Sequence, residues 1–155
     1  MTRMLGRMRR PGAFALLLVA SLLVQGFAVA PSRAGDTLQN RAEMLQLMNE
    51  DRADRNRDAL RLNDELSRYA RRHSREMAES GQLFHTPDLA GKLRGLNWSI
   101  GGENVGVGPS LEALEDAWMA SRPHRRNVLR AGFLRTAVGV VEAGGRFWVT
   151  VIFYG

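Results

Sequence analysis

The chain has no cysteine and only three histidines among its 155 residues. Without thiols there is no disulfide framework, no thiol nucleophile and no cysteine-ligated metal. Imidazole chemistry therefore falls to His73, His85 or His124. Acid is missing from one end: no Asp or Glu precedes Asp36. There is no internal repeat and no low-complexity segment, so repeat architectures are excluded.

The acid-free end has the layout of a secretory signal peptide over residues 1–34. Arg3, Arg7, Arg9 and Arg10 form a basic start. Ala13 to Ala30 is apolar apart from Ser21, Gln25 and Gly26, and Ser32-Arg33-Ala34 puts small residues at the −3 and −1 positions of a cleavage site. Pro31 argues against cleavage after Ala30. The competing reading is an uncleaved N-terminal anchor, because the apolar stretch is just long enough to span a bilayer. No cysteine follows it, so lipoprotein attachment is excluded. Either way the remainder, 35–155, is expected outside the cytoplasm, periplasmic or extracellular, and touches a membrane only through an uncleaved segment.

The formal net charge of +6 mostly belongs to that segment. Five of the 22 basic residues (Arg3, Arg7, Arg9, Arg10, Arg33) lie before Gly35, which leaves 17 bases against 16 acids. A near-neutral remainder gives no ground for a nucleic-acid partner. Arg122, Arg125, Arg126 and Arg130 form a local basic cluster, read as a solvated helix face, with anionic wall or lipid groups as the alternative. The ~120 remaining residues suit one domain whose core needs no cross-links.

Periodicity predicts a helix over 37–56 with Asp36 as N-cap, its apolar positions being Leu38, Ala42, Leu45 and Met48. A second helix starts at the cap Asn63, with Asp64 and Glu65 in its first turn. Leu66, Ala70, His73 and Met77 form one stripe, and Gly81 ends it. His73 on that stripe reads as a satisfied, half-buried histidine. Residues 82–109 hold six glycines and two prolines and read as loop, with a short helix around Leu89–Leu93. Ser110 caps a third helix burying Leu111, Leu114 and Trp118, with Glu115 and Asp116 toward solvent. Arg122-Pro123 breaks it, and a helical turn from His124 to Leu129 follows. Thr136–Glu142 and Arg146–Tyr154 form a hairpin about Ala143-Gly144-Gly145. Its second strand, Phe-Trp-Val-Thr-Val-Ile-Phe-Tyr, is apolar on both faces and must be covered on both sides. Trp118, Phe147, Trp148 and Phe153 read as core. The fold class is α+β: a three-layer α-β-α sandwich with a mostly antiparallel central sheet.

Three segments carry residue types that ligate metals or move protons. On its own, His85 reads as a loop histidine. Glu103 sits in Gly101-Gly102-Glu103-Asn104, where it can ligate a metal, fix a histidine tautomer, or satisfy loop amides. Asn104 is expected to bond backbone. His124 lies six residues after Trp118. Ser121 can cap the turn or hydrogen-bond His124, and no arranged base makes it a nucleophile.

The ordered set Asn49-Glu50-Asp51-Arg52, Leu66, Ala70, Met77, Gly81, His85, Gly102-Glu103-Asn104, Trp118-Met119, Ser121, His124-Arg125, Asn127-Val128-Leu129, Val138-Gly139-Val140 and Phe147-Trp148-Val149-Thr150 resembles the CAP superfamily (cysteine-rich secretory, antigen 5 and pathogenesis-related proteins). The resemblance is to its bacterial, cysteine-free form and spans roughly residues 40–155. It implies an α-β-α sandwich with a cleft holding His85, Glu103, Asn104, Ser121 and His124. Bacterial members read Ser-Pro-x-His-Arg, whereas here the proline is displaced by one. Eukaryotic members are similar to a tetrad of two histidines and two acids, and Ser121 stands where the second acid would be, which weakens carry-over of metal binding. The expected function is a non-enzymatic, exported module that binds a cell-envelope, peptide or lipid ligand. One alternative is a divalent-metal-dependent hydrolase or peptidase, with His85 and His124 holding Zn²⁺ or another divalent cation and Glu103 as candidate catalytic residue. A second alternative is lipid or sterol binding.

Overall fold

The computed structural model describes residues 34–155, with side chains from Leu38 onward. The expected signal segment lies outside the described residues. Helix α1 spans Ala34–Ala53. Its helical backbone passes through Asp36, so Asp36 is not the cap expected from the sequence. Helix α2, Asp64–Ser80, is bounded as the sequence predicts. Asn63 accepts the Leu66 amide, and Gly81 stops the helix in the left-handed region at φ 67°. The short helix α3 is Leu89–Leu93, and α4 is Leu111–Ala120, capped by Ser110 on the Ala113 amide. Helix α5 covers Arg122–Val128 with its proline in the first turn. The first-turn N–H groups of a helix have no partner within it, so proline fits at either opening position. The displacement of Pro123 by one residue therefore leaves the turn intact.

Four strands make one sheet in the order β1-β3-β4-β2. They are β1 (Arg61–Leu62), β2 (Gly101–Gly108), β3 (Arg135–Ala143) and β4 (Arg146–Tyr154). β1 runs parallel to β3; the other two pairings are antiparallel. The β3–β4 hairpin turns on Gly144 and Gly145, both at positive φ as a tight two-residue turn requires.

β2 corrects the reading of 82–109 as loop. Its glycines hid it, and packing explains them. A Cβ on Gly106 would come within 2.6 Å of Leu114 and 3.1 Å of Trp118, and one on Gly102 would press on Asn127 and Phe133. Helices α4 and α5 lie so close to this strand that a side chain has no room at Gly102 or Gly106.

Alternation along β4 builds two cores. Val149, Val151 and Phe153 face one side with Met44, Met48, Leu114, Trp118, Val128 and Phe133. Ile152 and Tyr154 face the other with Leu66, Ala70 and Leu93. The layers are α1/α4/α5, the sheet, and α2/α3, as expected. Trp148 is an exception to the predicted core: it is half-buried and belongs to neither cluster. Helix α2 sits directly on the sheet, because a Cβ at Gly139 would overlap the backbone of Ala70 and Arg71.

Arg52 fastens the end of α1 to the segment that leaves α5. It is fully buried and donates to four carbonyls: Asp58 at 2.7 Å, Val128 at 2.7 Å, Arg130 at 3.2 Å and Phe133 at 2.9 Å. The planar fork of guanidinium suits such a cage.

Candidate functional site

Sheet register decides which residues meet. β2 is the outer strand of the described sheet, and its side chains alternate between the two helical layers. Glu103 stands opposite Ile152 and so faces the α2 layer; Asn104 stands opposite Val151 and faces the α5 layer. Consecutive residues of one strand thus serve the two halves of a site.

On the α2 side, the loop leaving α2 carries His85 and Thr86. His85 Nδ1 lies 2.7 Å from Glu103 Oε1. The Thr86 amide donates to the same oxygen at 2.9 Å, and the Thr86 hydroxyl donates to Oε2 at 2.5 Å. Tyr69 on α2 donates its hydroxyl to Thr86 Oγ1 at 3.3 Å. An ionised carboxylate only accepts, so Nδ1 of His85 carries a proton, and in the neutral ring Nε2 is the atom with the lone pair. The His85 side chain is 64% exposed and that of Glu103 is 4% exposed. A buried carboxylate thereby holds an accessible imidazole in one tautomer. Burial is the main cause that raises the Tyr69 pKa, opposed by its bond to Thr86, with the Glu103 charge adding to the rise.

On the α5 side, His124 Nδ1 lies 2.9 Å from Ser121 Oγ. Of the two roles open to Ser121, the hydroxyl takes the bond to His124; it makes no cap to the α5 amides. The imidazole of His124 lies against Trp118, ring centres 6.2 Å apart. Burial first, and then the nearby His85, lower the His124 pKa, so the neutral ring is favoured. Asn104 donates to the His124 carbonyl at 3.2 Å, backbone as expected. Asn127 donates to Asn104 Oδ1 at 2.9 Å and to the Glu103 carbonyl at 3.1 Å.

The predicted residues therefore form two linked pairs, His85–Glu103 and His124–Ser121, joined through β2 by Asn104. Glu103 and His124 share no hydrogen bond. Among the described residues no three His, Asp or Glu side chains converge as a metal shell would require. His85 and His124 would give a shared Zn²⁺ at most two of its four ligands, and the Glu103 carboxylate is engaged with His85 and Thr86. The fit to a catalytic metal centre, which takes three protein ligands, is incomplete.

Sequence reasoning missed Tyr69, Thr86 and Asn127 as parts of the site. Adjacency to His85 was the only signal for Thr86; nothing in the spacing of Tyr69 separates it from core. Two expectations are corrected. His73 is 1% exposed rather than half-buried, with Nδ1 3.1 Å from Thr150 Oγ1 and no partner for Nε2. Glu115 is buried between α1 and α4 rather than facing solvent.

Residues 45–153 match the model of the cysteine-rich secretory protein family, CAP. The chain belongs to this family. The protein YkwD of Bacillus subtilis (strain 168) is 30% identical over 109 residues, which are 66% of this chain and 42% of YkwD. The CAP chain described here thus spans less than half the length of that curated relative. An extracellular protein containing an SCP domain from Bacillus anthracis str. Ames superposes with a TM-score of 0.66 at 23% identity, covering 81% of this chain and 44% of that one. An outer surface protein of Borrelia burgdorferi superposes with a TM-score of 0.65 at 16% identity, covering 76% of this chain and 92% of that one. At these identities the two structures establish the shared fold, and both are described as surface or extracellular proteins.

Proposed function

We propose that this CAP chain is an exported, non-enzymatic binding module whose cleft takes its ligand between His85 and His124. One observation carries the reading: both oxygens of Glu103 are committed to holding His85 and Thr86. A carboxylate used this way positions an imidazole; as a general base it would need a free oxygen facing a substrate or water. Ser121 has no base–carboxylate relay, since its histidine partner His124 is backed by no acid. What the cleft offers is recognition. The His85 ring is exposed with Nε2 free to accept, the His124 ring is neutral, and Asn104 and Ser121 lie beside them. A ligand that donates hydrogen bonds or carries a metal suits this set. Export is supported by the basic–apolar–small order of residues 1–34 and by the extracellular setting of the related structures.

A second reading, a divalent-cation site at His85 and His124, is favoured by the Glu103 carboxylate at His85 Nδ1, which leaves His85 Nε2 for a ligand, and requires that His124 donate its Nδ1 proton to Ser121. The test is Zn²⁺ calorimetry of the full-length protein together with peptide and ester hydrolysis, with and without Zn²⁺. The parent is expected to show no turnover above a His85→Ala, His124→Ala variant. Saturable Zn²⁺ binding without turnover would make the cation part of the ligand site. Zn²⁺-dependent turnover that is abolished in a folded Glu103→Gln variant would overturn the binding reading in favour of a hydrolase. Lipid or sterol binding ranks last, having no amphipathic loop to support it.

A further inference from the structure

A second surface, separate from the cleft residues, combines charges in a way that calls for a partner. A groove of about 700 Å³ is lined by Arg57, Arg122, Arg125, Arg126 and Arg130, with Leu129 and Ala131 between them. Five of its seven lining residues are cations and none is an acid. The ion pairs among the described residues are Arg41–Asp64, Arg55–Asp51 and His85–Glu103, so no groove arginine has a carboxylate partner. Arg125 spends one nitrogen on the Met119 carbonyl, and Arg130 lies over the Phe133 ring. Arg57, Arg122 and Arg126 are exposed.

A solvated helix face would explain the arginines of α5 alone. It does not explain Arg57, which comes from the loop after α1. The two segments are bound together by Arg52, which donates to Asp58 on one side and to Val128, Arg130 and Phe133 on the other. Like charges repel at this range, and the fold holds them together with a buried cage. Acids are meanwhile gathered elsewhere: Glu50, Asp51, Asp54, Glu112, Glu115 and Asp116 line a pocket between α1 and α4.

We propose that this groove binds an extended polymer of phosphodiester-linked, non-aromatic units. Guanidinium matches phosphate with paired hydrogen bonds. The groove is far larger than one phosphate and holds cations for several in succession. It offers no aromatic face for base stacking, because Phe133 is fully buried under Arg130. It is concave and carries only Leu129 and Ala131 as apolar lining, which suits a chain better than a flat bilayer with its need for an inserted apolar wedge.

The experiment uses the full-length protein and a fluorescent glycerol-phosphate oligomer, read by anisotropy against salt. Binding is expected to weaken with salt, with a log–log slope approaching about −3.5 when all five arginines make contact. Arg122→Glu with Arg126→Glu is expected to weaken it at least about tenfold, and Arg57→Glu alone, on the other segment, by several-fold. Arg68→Glu with Arg72→Glu, on α2, is the control and should leave binding unchanged. The proposal fails if the groove variants bind as the parent does, or if the α2 control loses as much. It also fails if phosphatidylglycerol vesicles or an oligothymidylate compete more tightly than the oligomer, which would assign the groove to membrane or nucleic acid.

Discussion

Glu115 gives a prediction with a worked magnitude. It is 3% exposed, and its carboxyl group is buried beside Asp51. The acids lining the same pocket are Glu50 and Asp51 from α1, Asp54 just beyond it, and Glu112 and Asp116 from α4; Asp51 is paired to Arg55. Burial, then the charges of Asp51 and Asp116, push its pKa from 4.5 up to about 8. The folded protein thus holds a proton that the unfolded chain has released above pH 4.5. Where the native state binds more protons, stability falls as pH rises. The contribution is fully present below the unfolded pKa and is lost progressively until pH passes the folded pKa. The gap corresponds to roughly 4–5 kcal/mol between pH 4 and pH 9. Glu115→Gln keeps the shape, stays neutral, and removes this term. Urea unfolding followed by tryptophan fluorescence should show parent and variant alike near pH 4, with the variant more stable by a few kcal/mol at pH 9. Equal pH slopes in the two proteins would refute the reasoning.

Two substitutions test the scaffold. Arg52→Ala strands the carbonyls of Asp58, Val128, Arg130 and Phe133 and should cost about 3 kcal/mol or more in the same unfolding assay, with Arg52→Lys recovering only part; a loss under about 1 kcal/mol would mean the cage is dispensable. Gly139→Ala drives a methyl into the Ala70 backbone and should cost about 3 kcal/mol or prevent folding, measured as loss of the cooperative thermal transition, since neither the helix nor the central strand can yield.

The elements with their own start and stop chemistry were legible in the sequence. Asn63 and Gly81 bounded α2, Ser110 opened α4, and Gly144-Gly145 fixed the hairpin, because caps and turns are local events. β2 was not legible. Gly101, Gly102, Gly106 and Gly108 are poor strand formers, and what makes them a strand is the nearness of Leu93, Leu114, Trp118 and Phe133 from other parts of the chain. Glu115 was misplaced for a similar reason. A carboxylate reads as solvent-facing on any helix, and only the approach of α1 buries it. For the candidate site, the resemblance and the order of its residues named His85, Glu103 and His124 as candidates, while Tyr69, Thr86 and Asn127 meet them through contacts that exist only after folding.

The same edge strand also sets how the two halves of the candidate site depend on each other. His85 reaches Glu103 from the α2 layer, and His124 reaches Asn104 through its backbone from the α5 layer. The two layers have separate cores, so little besides β2 fixes their spacing at this point. Asn127 closes the gap by bonding both the Glu103 carbonyl and the Asn104 side chain. The distance between the imidazoles is therefore governed by one strand and one asparagine, and a ligand spanning both rings would tie the two layers together. Such a ligand stabilises the folded chain in proportion to its affinity. Thermal stability is for that reason a direct test of the proposed ligand, and Asn127 is the position at which that coupling would be weakened without touching either histidine.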